Sequence, residues 1–377
     1  MRIMILTPGL PLNLDNIRGG VHSAVSNLLK GFQNEDADVR VLSFSREVKE
    51  DTKIVISDRI EVHYVYEGPF PYHSMNYLLA GPKIVKKHIK DFKPDIIHFQ
   101  EGSSFMFIRV KGLNKIKYLQ TIHGMSFAEA KRKKKLKDKL TWYFNGVLQL
   151  SMLPRNVIHL SNFSVRLFSK RKIAHGAVIP NAIVQNYFDI PLKLNTSNTL
   201  LYMGIIDNNK NLLFLLQAMK DLLKAGKPFT LNVLGDFSND MYKEIITTYI
   251  QENELEPYIK FQGWVSQPAV MKFIEHSDIL VVSSKHESLP MVIAESMAAG
   301  KVVAASDVGG IPEMIEHNVN GYLFNLASPG ELVNILERLY DNDEKIREIS
   351  SRARASAQKY NCNNVATKTL EFYKKCV

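Results

Sequence analysis

The chain has 377 residues, 45% of them hydrophobic and 23% charged, and a formal net charge of +10. This length exceeds one ordinary core and suits two domains. No stretch approaches the roughly 18 apolar residues of a membrane span. The two cysteines, Cys362 and Cys376, lack metal spacing and fit a reducing cytoplasm without a disulfide framework.

The first residues, "MRIMILTPGL", break too early for a signal peptide and read as a strand, "RIMILT" (2–7). A loop with Gly19-Gly20 follows. In the next segment Val21, Ala24, Val25, Leu28, Leu29 and Phe32 fall on one helical face. Apolar, β-branched runs then predict strands at 39–44, 60–66, 95–100, 117–123 and 156–161. The polar, proline-bearing stretch 186–199 reads as a linker. The pattern restarts with strands at 199–204, 229–235, 258–263, 278–284, 301–306 and 321–325, and with a helix closed by Gly226. Strands alternating with helices imply parallel sheets with right-handed crossovers. The expectation is α/β, with two Rossmann-like domains, 1–182 and 183–359, facing across a cleft. A C-terminal helix at about 360–377 would return to the first domain. Neither glycine loop forms the dinucleotide fingerprint G-x-G-x-x-G, which argues against a dehydrogenase.

The segment "HESLPMVIAE" (286–295) carries two carboxylates, Glu287 and Glu295. The strand before it and the helix after it put Glu287 in a strand-to-helix loop, where open α/β sheets bind ligands. The helix starts near Leu289 or Pro290, with Glu295 about one and a half turns in. The residues alone leave three readings: an acid/base pair, two anchors for a hydroxylated ligand, or solvated charges.

The run "HESLPMVIAESMAAGKVVAASDVGGIPEMI" resembles the donor-site signature of retaining GT-B glycosyltransferases, in particular the GT4 family. That pattern is E-x7-E, a small-residue helix, a strand, G-G and a glutamate, here Glu287, Glu295, Gly309, Gly310 and Glu313. Gly19-Gly20, "PDIIH" (94–98), "TIHG" (121–124), "PNAI" (180–183), the Gly204…Lys210 loop, "LGD" (234–236) and "NGYLF" (320–324) match in order. The resemblance spans nearly the whole chain. It implies that Glu295 binds the ribose hydroxyls of a sugar nucleotide and that Glu287 lies near the transferred sugar. Lys210 would neutralise the pyrophosphate as it leaves, and His123 would touch the donor sugar. Gly19, Gly20, Gly204, Asn209, Ser288, Leu289, Met291 and Val292 complete the expected donor site, with backbone amides of the last three offered to phosphate or sugar oxygens. No Asp-x-Asp of the metal-dependent transferase type is evident, so the resemblance implies no essential metal or other cofactor. Two departures stand out. Ile205 occupies the place of the family's arginine in the Gly204 loop, and Ala182 replaces the glycine of its "PNG"-like motif.

Residues 1–180 carry 29 Lys+Arg against 15 Asp+Glu, or +14; residues 181–377 carry 19 against 23, or −4. Seven basic residues fall within 131–139, and aromatic residues Trp142, Tyr143 and Phe144 follow. A basic helix with adjoining apolar residues fits the face of an anionic bilayer, and a solvated helix packing its apolar residues inward is the alternative. No nucleic-acid motif accompanies the charge. The expected function is transfer of a hexosyl or N-acetylhexosaminyl group from a UDP-sugar, or alternatively a GDP-sugar. The acceptor is a saccharide or lipid-linked saccharide of surface polysaccharide or glycolipid synthesis. The expected location is the cytoplasm, with contact to the inner face of the cell membrane. A sugar-nucleotide epimerase of the same fold, or a binding protein weakened by Ile205, are the competing functions.

Overall fold

A computed structural model describes residues 1–377 apart from 15, 16, 18, 69–72, 101–115, 125–135, 152, 169–172, 174 and 193–197, and without the side chains of 8, 73–79 and 148–151. The chain divides into two units, Met1–Ala182 with Cys362–Val377, and Ile183–Asn361.

The first unit is built on eight strands: β1 (Arg2–Pro8), β2 (Asp38–Ser45), β3 (Thr52–Ser57), β4 (Ile60–Tyr66), β5 (Ile96–Phe99), β6 (Lys117–Ile122), β7 (Asn156–His159) and β8 (His175–Val178). Their order is β3-β4-β2-β1-β5-β6-β7-β8. Ile3, Ile5, Val39, Val41, Val62 and Ile96 are buried, the near-continuous apolar character of strands covered on both faces. The described helices are α1 (Gly20–Phe32), α2 (His73–Phe92), α3 (Leu136–Ser151) and α4 (Asn162–Phe168), with the C-terminal helix Cys362–Cys376 packed on α1. One expectation needs correction: this sheet is mixed. Strands β3 and β4 are antiparallel, paired from Ser57 and Ile60 outward. Only Asp58 and Arg59 separate them, and a two-residue connection folds a chain back on itself rather than crossing over.

The second unit has β9 (Thr199–Met203), β10 (Thr230–Leu234), β11 (Ile259–Gly263), β12 (Ile279–Val282), β13 (Val302–Ser306) and β14 (Tyr322–Phe324). All are parallel, in the order β11-β10-β9-β12-β13-β14. Every residue of β9, β12 and β13 is buried between two apolar clusters, one on each face. The helices are α5 (Leu212–Lys224), α6 (Asp240–Glu252), α7 (Gln267–Glu275), α8 (Met291–Ala298), α9 (Gly330–Leu339) and α10 (Asp343–Ala357). The stretch read as a linker is anchored: Tyr187, Phe188 and Ile190 are buried in this unit's core.

Chain direction across each sheet reverses once. In the first unit β1 leads to β2 on one side while β5 lies on the other; in the second, β9 leads to β10 while β12 lies on the other side. Ligands of open α/β sheets bind at such reversals, outside the carboxyl ends of the strands.

Candidate functional site

In the second unit the reversal between β9 and β12 gathers most of the expected donor residues. The chain leaves β9 at Gly204, whose φ of +139° is open to glycine but strained for other residues. Asp207 then accepts a hydrogen bond from the Lys210 backbone N–H at 2.7 Å, the local closure expected of an aspartate turn. The opposing loop follows β12. Its Lys285 N–H donates to Asn209 O at 2.7 Å, and the Asn209 side-chain amide donates to His286 O at 3.3 Å. The Ser283 hydroxyl donates to Asn211 O at 2.9 Å. Across this seam the Lys210 ammonium donates to Glu287 Oε1 at 2.6 Å, with both side chains partly shielded from water.

Gly309 fixes the third side. Its φ is +60°, and a Cβ there would sit 1.8 Å from the Glu287 carbonyl oxygen. The next residue, Gly310, donates its N–H to that same oxygen at 3.1 Å. The first glycine of the pair therefore lets two backbones approach, and the second bonds them.

Ser288 and Leu289 complete the loop, and Pro290 is the N-cap of α8. A proline N-cap offers no side-chain hydroxyl, so the first-turn amides of Met291 and Val292 have no side-chain cap. Glu295 lies in the second turn. Its carboxylate has no hydrogen-bond partner among the described residues, and burial pushes it up to about 7. Burial, with the nearby Glu295 carboxylate second, raises the Tyr187 phenol well above its ordinary value. A half-buried carboxylate without a hydrogen-bond partner among the described residues is suited to a ligand that brings hydroxyl donors.

The raised pKa has a testable sign. Free glutamate titrates near 4.5, Glu295 near 7, so the protonated form is favoured by folding. That stabilisation is complete below about 4.5 and is lost as pH rises through about 7. Glu295→Gln should therefore raise the melting temperature of the ligand-free protein at pH 8, by an amount worth on the order of 1–3 kcal/mol, and change little at pH 4.5. Equal effects at both pH values would refute the desolvated carboxylate.

In the first unit, Gly19 is the N-cap of α1 with φ +98°, and Gly20 begins the helix after β1. His123 follows β6, and its Nε2–H donates to Gln100 Oε1 at 2.9 Å. Burial, with His22 nearby, lowers its pKa to about 4, so the ring is neutral at pH 7 and keeps Nδ1 as an acceptor. Behind it His98, lowered to about 3 by burial and His123, lies 2.5 Å from the Tyr373 hydroxyl and 2.7 Å from the Thr121 hydroxyl. A hollow of about 30 Å³ beside His98, Gln100, His123 and Asn181 has room for water.

Gly204, Asn209, Lys210, Glu287, Ser288, Leu289, Met291, Val292 and Glu295 thus lie around one strand reversal, while Gly19, Gly20 and His123 belong to the first unit. Sequence reasoning missed Gln100, Asp207 and Lys285. Gln100 is two residues beyond the "PDIIH" histidine at the end of β5, where period-two side-chain alternation was the available signal; Asp207 and Lys285 lie in loops and carried none. Of the basic segment, 131–135 lie outside the described residues; 136–139 open α3. Leu136, Leu140, Tyr143, Phe144 and Val147 of α3 are exposed. Among the described residues no helix is long and apolar enough to cross a membrane.

Two family models match the chain: Glycosyltransferase Family 4 over residues 18–186 and Glycosyl transferases group 1 over 184–356. An uncharacterized glycosyltransferase of Methanocaldococcus jannaschii is 25% identical over 91% of this chain and 90% of its own length. An amylovoran biosynthesis glycosyltransferase of Erwinia amylovora is 25% identical over 76% of this chain and 71% of its own. Among solved structures, an Anabaena protein crystallised with UDP-glucose superposes with a TM-score of 0.75, covering 100% of both chains at 19% identity.

Proposed function

The chain belongs to the family 4 glycosyltransferases and has the GT-B fold, and we propose that it moves a hexosyl or N-acetylhexosaminyl group from a UDP-sugar to a saccharide or lipid-linked saccharide. The observation that carries this reading is the seam between the β9 and β12 loops, where Lys210 meets Glu287 at 2.6 Å, with the desolvated Glu295 in the helix that follows. One unit thereby offers a cation for a diphosphate, helix amides beside it, and a carboxylate for a ribose diol. The structural neighbour crystallised with UDP-glucose supports uracil as the base, and the relative named for amylovoran biosynthesis supports a role in saccharide assembly.

Glu295 accepts the ribose hydroxyls. Met291 and Val292 amides and the Lys210 ammonium receive the diphosphate, and Glu287 lies at the sugar. His123 offers Nδ1 to a sugar hydroxyl. The bond between the anomeric carbon and the β-phosphate oxygen breaks, and its electron pair leaves on the diphosphate. The acceptor oxygen bonds to the same face of that carbon, and its proton passes to the departing phosphate oxygen. Configuration is retained. Lys210 carries part of the charge on the leaving group.

The test is a panel of UDP-glucose, UDP-galactose, UDP-N-acetylglucosamine and GDP-mannose. One should raise the melting temperature and be consumed only when a saccharide acceptor is added, giving a product of unchanged anomeric configuration. A donor epimerised in the absence of acceptor would replace this reading with the epimerase. A donor that binds and is never turned over would leave a binding protein.

The acceptor side carries a second expectation. The first half of the chain is basic, and α3 exposes Leu136, Leu140, Tyr143 and Phe144 beside Lys137 and Lys139. We propose peripheral contact with an anionic bilayer, each cation near the surface contributing about 1 kcal/mol. Binding to anionic vesicles should reverse with salt, as the Debye length falls from about 10 Å at 0.1 M to about 3 Å at 1 M. It should be lost when Lys131, Arg132, Lys133, Lys134 and Lys135 become Gln. Equal partitioning into neutral vesicles, or none into either, would leave α3 a solvated helix.

A further inference from the structure

We propose that Lys285 is the second cation of the diphosphate site and supplies the charge that Ile205 lacks. The inference rests on the donor-site reading above and concerns one residue that the sequence comparison did not single out. A nucleoside diphosphate presents two phosphates, and the family pattern meets them with an arginine and a lysine. Here position 205 is isoleucine, 62% exposed. The remaining lysine, Lys210, has its ammonium against the Glu287 carboxylate. One cation balanced by one anion is a poor match for a diphosphate.

Lys285 stands at the same seam. It follows β12 by three residues, and its backbone N–H is bonded to Asn209 O at 2.7 Å, so the main chain is pinned beside the Lys210 loop. Its ammonium donates to Asn208 Oδ1 at 2.8 Å. Asn208 lies within the Gly204…Lys210 loop, between the absent arginine and the lysine that is present. The partner's chemistry matters. Asn208 is neutral, so it orients the ammonium without cancelling its charge. Among the described residues no carboxylate lies within ion-pair distance of Lys285. Of its three N–H donors, the asparagine uses one.

Lys285 is exposed, and the sheltered cations Lys301 and Arg354 of this unit are committed elsewhere. Lys301 donates to Glu275 O at 2.7 Å, at the amino end of β13. Arg354 donates to Ala298 O at 3.0 Å and also to Ile190 O. Both tie down backbone carbonyls, whereas the Lys285 ammonium sits in the loops at the carboxyl ends of β9 and β12. Two cations contributed from opposite loops would close on the diphosphate from both sides of the seam. Lys210 would exchange part of its contact with Glu287 for phosphate oxygen, and Lys285 would keep Asn208 and add one.

The experiment is titration of UDP and of uridine, with GDP and guanosine in parallel, into the wild-type protein, Lys285→Gln, Lys285→Arg, and the pair Lys285→Gln/Ile205→Arg. Glutamine keeps a donor for Asn208 and the backbone bond to Asn209, so a change isolates the charge. Lys285→Gln should weaken the nucleoside diphosphate about tenfold or more, the scale of one charge-assisted hydrogen bond, and leave the nucleoside unchanged. Lys285→Arg should stay near wild type, and Ile205→Arg should restore most of the loss in the Gln background. Unchanged diphosphate affinity in Lys285→Gln, or equal losses for diphosphate and nucleoside, would overturn the assignment while leaving the donor site intact. Failure of the wild type to bind either diphosphate would overturn the donor site and the assignment together.

Discussion

Lys210→Ala should lower turnover about 10²–10³-fold, the scale for removing one preorganised charge from a developing anion. The melting temperature should fall by only a few degrees. The ammonium is held at 2.6 Å from Glu287 by a loop that closes through Asp207, so it is already placed when the donor arrives. Leaving Glu287 without its partner costs about 1–2 kcal/mol, since both side chains are partly wet. Lys210→Met separates the effects: it keeps most of the stem, which would lie 3.5 Å from a Cβ at Gly204, and removes only the charge. Steady-state turnover at saturating donor, read beside the melting curve, checks this. Activity within tenfold of wild type in both variants would show that another cation carries the leaving diphosphate.

Gly309→Ala should be costly to both stability and donor binding. The added methyl would fall 1.8 Å from Glu287 O and 2.9 Å from its carbonyl carbon, at a φ of +60°. Either the Gly309 loop or the Glu287 loop has to move. Strain and displacement together predict a loss of about 2–4 kcal/mol. The moved backbone carries Glu287, so donor affinity should fall with stability. Gly330→Ala is the control: nothing lies within 4 Å of its Cβ position, and it should change stability by less than about 0.5 kcal/mol. Intact melting and donor affinity in Gly309→Ala would contradict the packing of the two loops.

Much of this fold is written in local pattern. The apolar runs of β9, β12 and β13 are buried on both faces and leave no polar alternation to misread. The two strand-to-helix loops that carry Gly204 and Glu287 follow directly from those runs. Elements at the sheet's margins are harder to read. β3 alternates exposed and half-buried residues, and β8 is mostly exposed, so neither forms an apolar run. The stretch after Val184 looks like a linker because Asp189, Pro191 and the polar residues beyond it dominate, yet Tyr187, Phe188 and Ile190 are buried.

Partnerships were less legible than positions. Lys210 and Glu287 are 77 residues apart, and His98 and Tyr373 are 275 apart. A single sequence has no signal for such pairs. Glu295 was expected to be an anchor, but its desolvation follows from burial in α8 and not from its spacing to Glu287. Lys285 reads locally as one more surface lysine. Only the folded loops bring it to Asn208.

The central claim is that the sugar nucleotide is held by residues of the second unit at the carboxyl ends of β9 and β12. Amide hydrogen exchange, followed by mass spectrometry with and without the stabilising donor, tests it most directly. The account predicts that donor slows exchange most in residues 204–211 and 285–295, and that Glu295→Ala, by removing the ribose partner at a cost of about 1–3 kcal/mol, abolishes much of that protection at a fixed donor concentration. Protection confined to Met1–Ala182, with both loops exchanging as in the free protein, would contradict it.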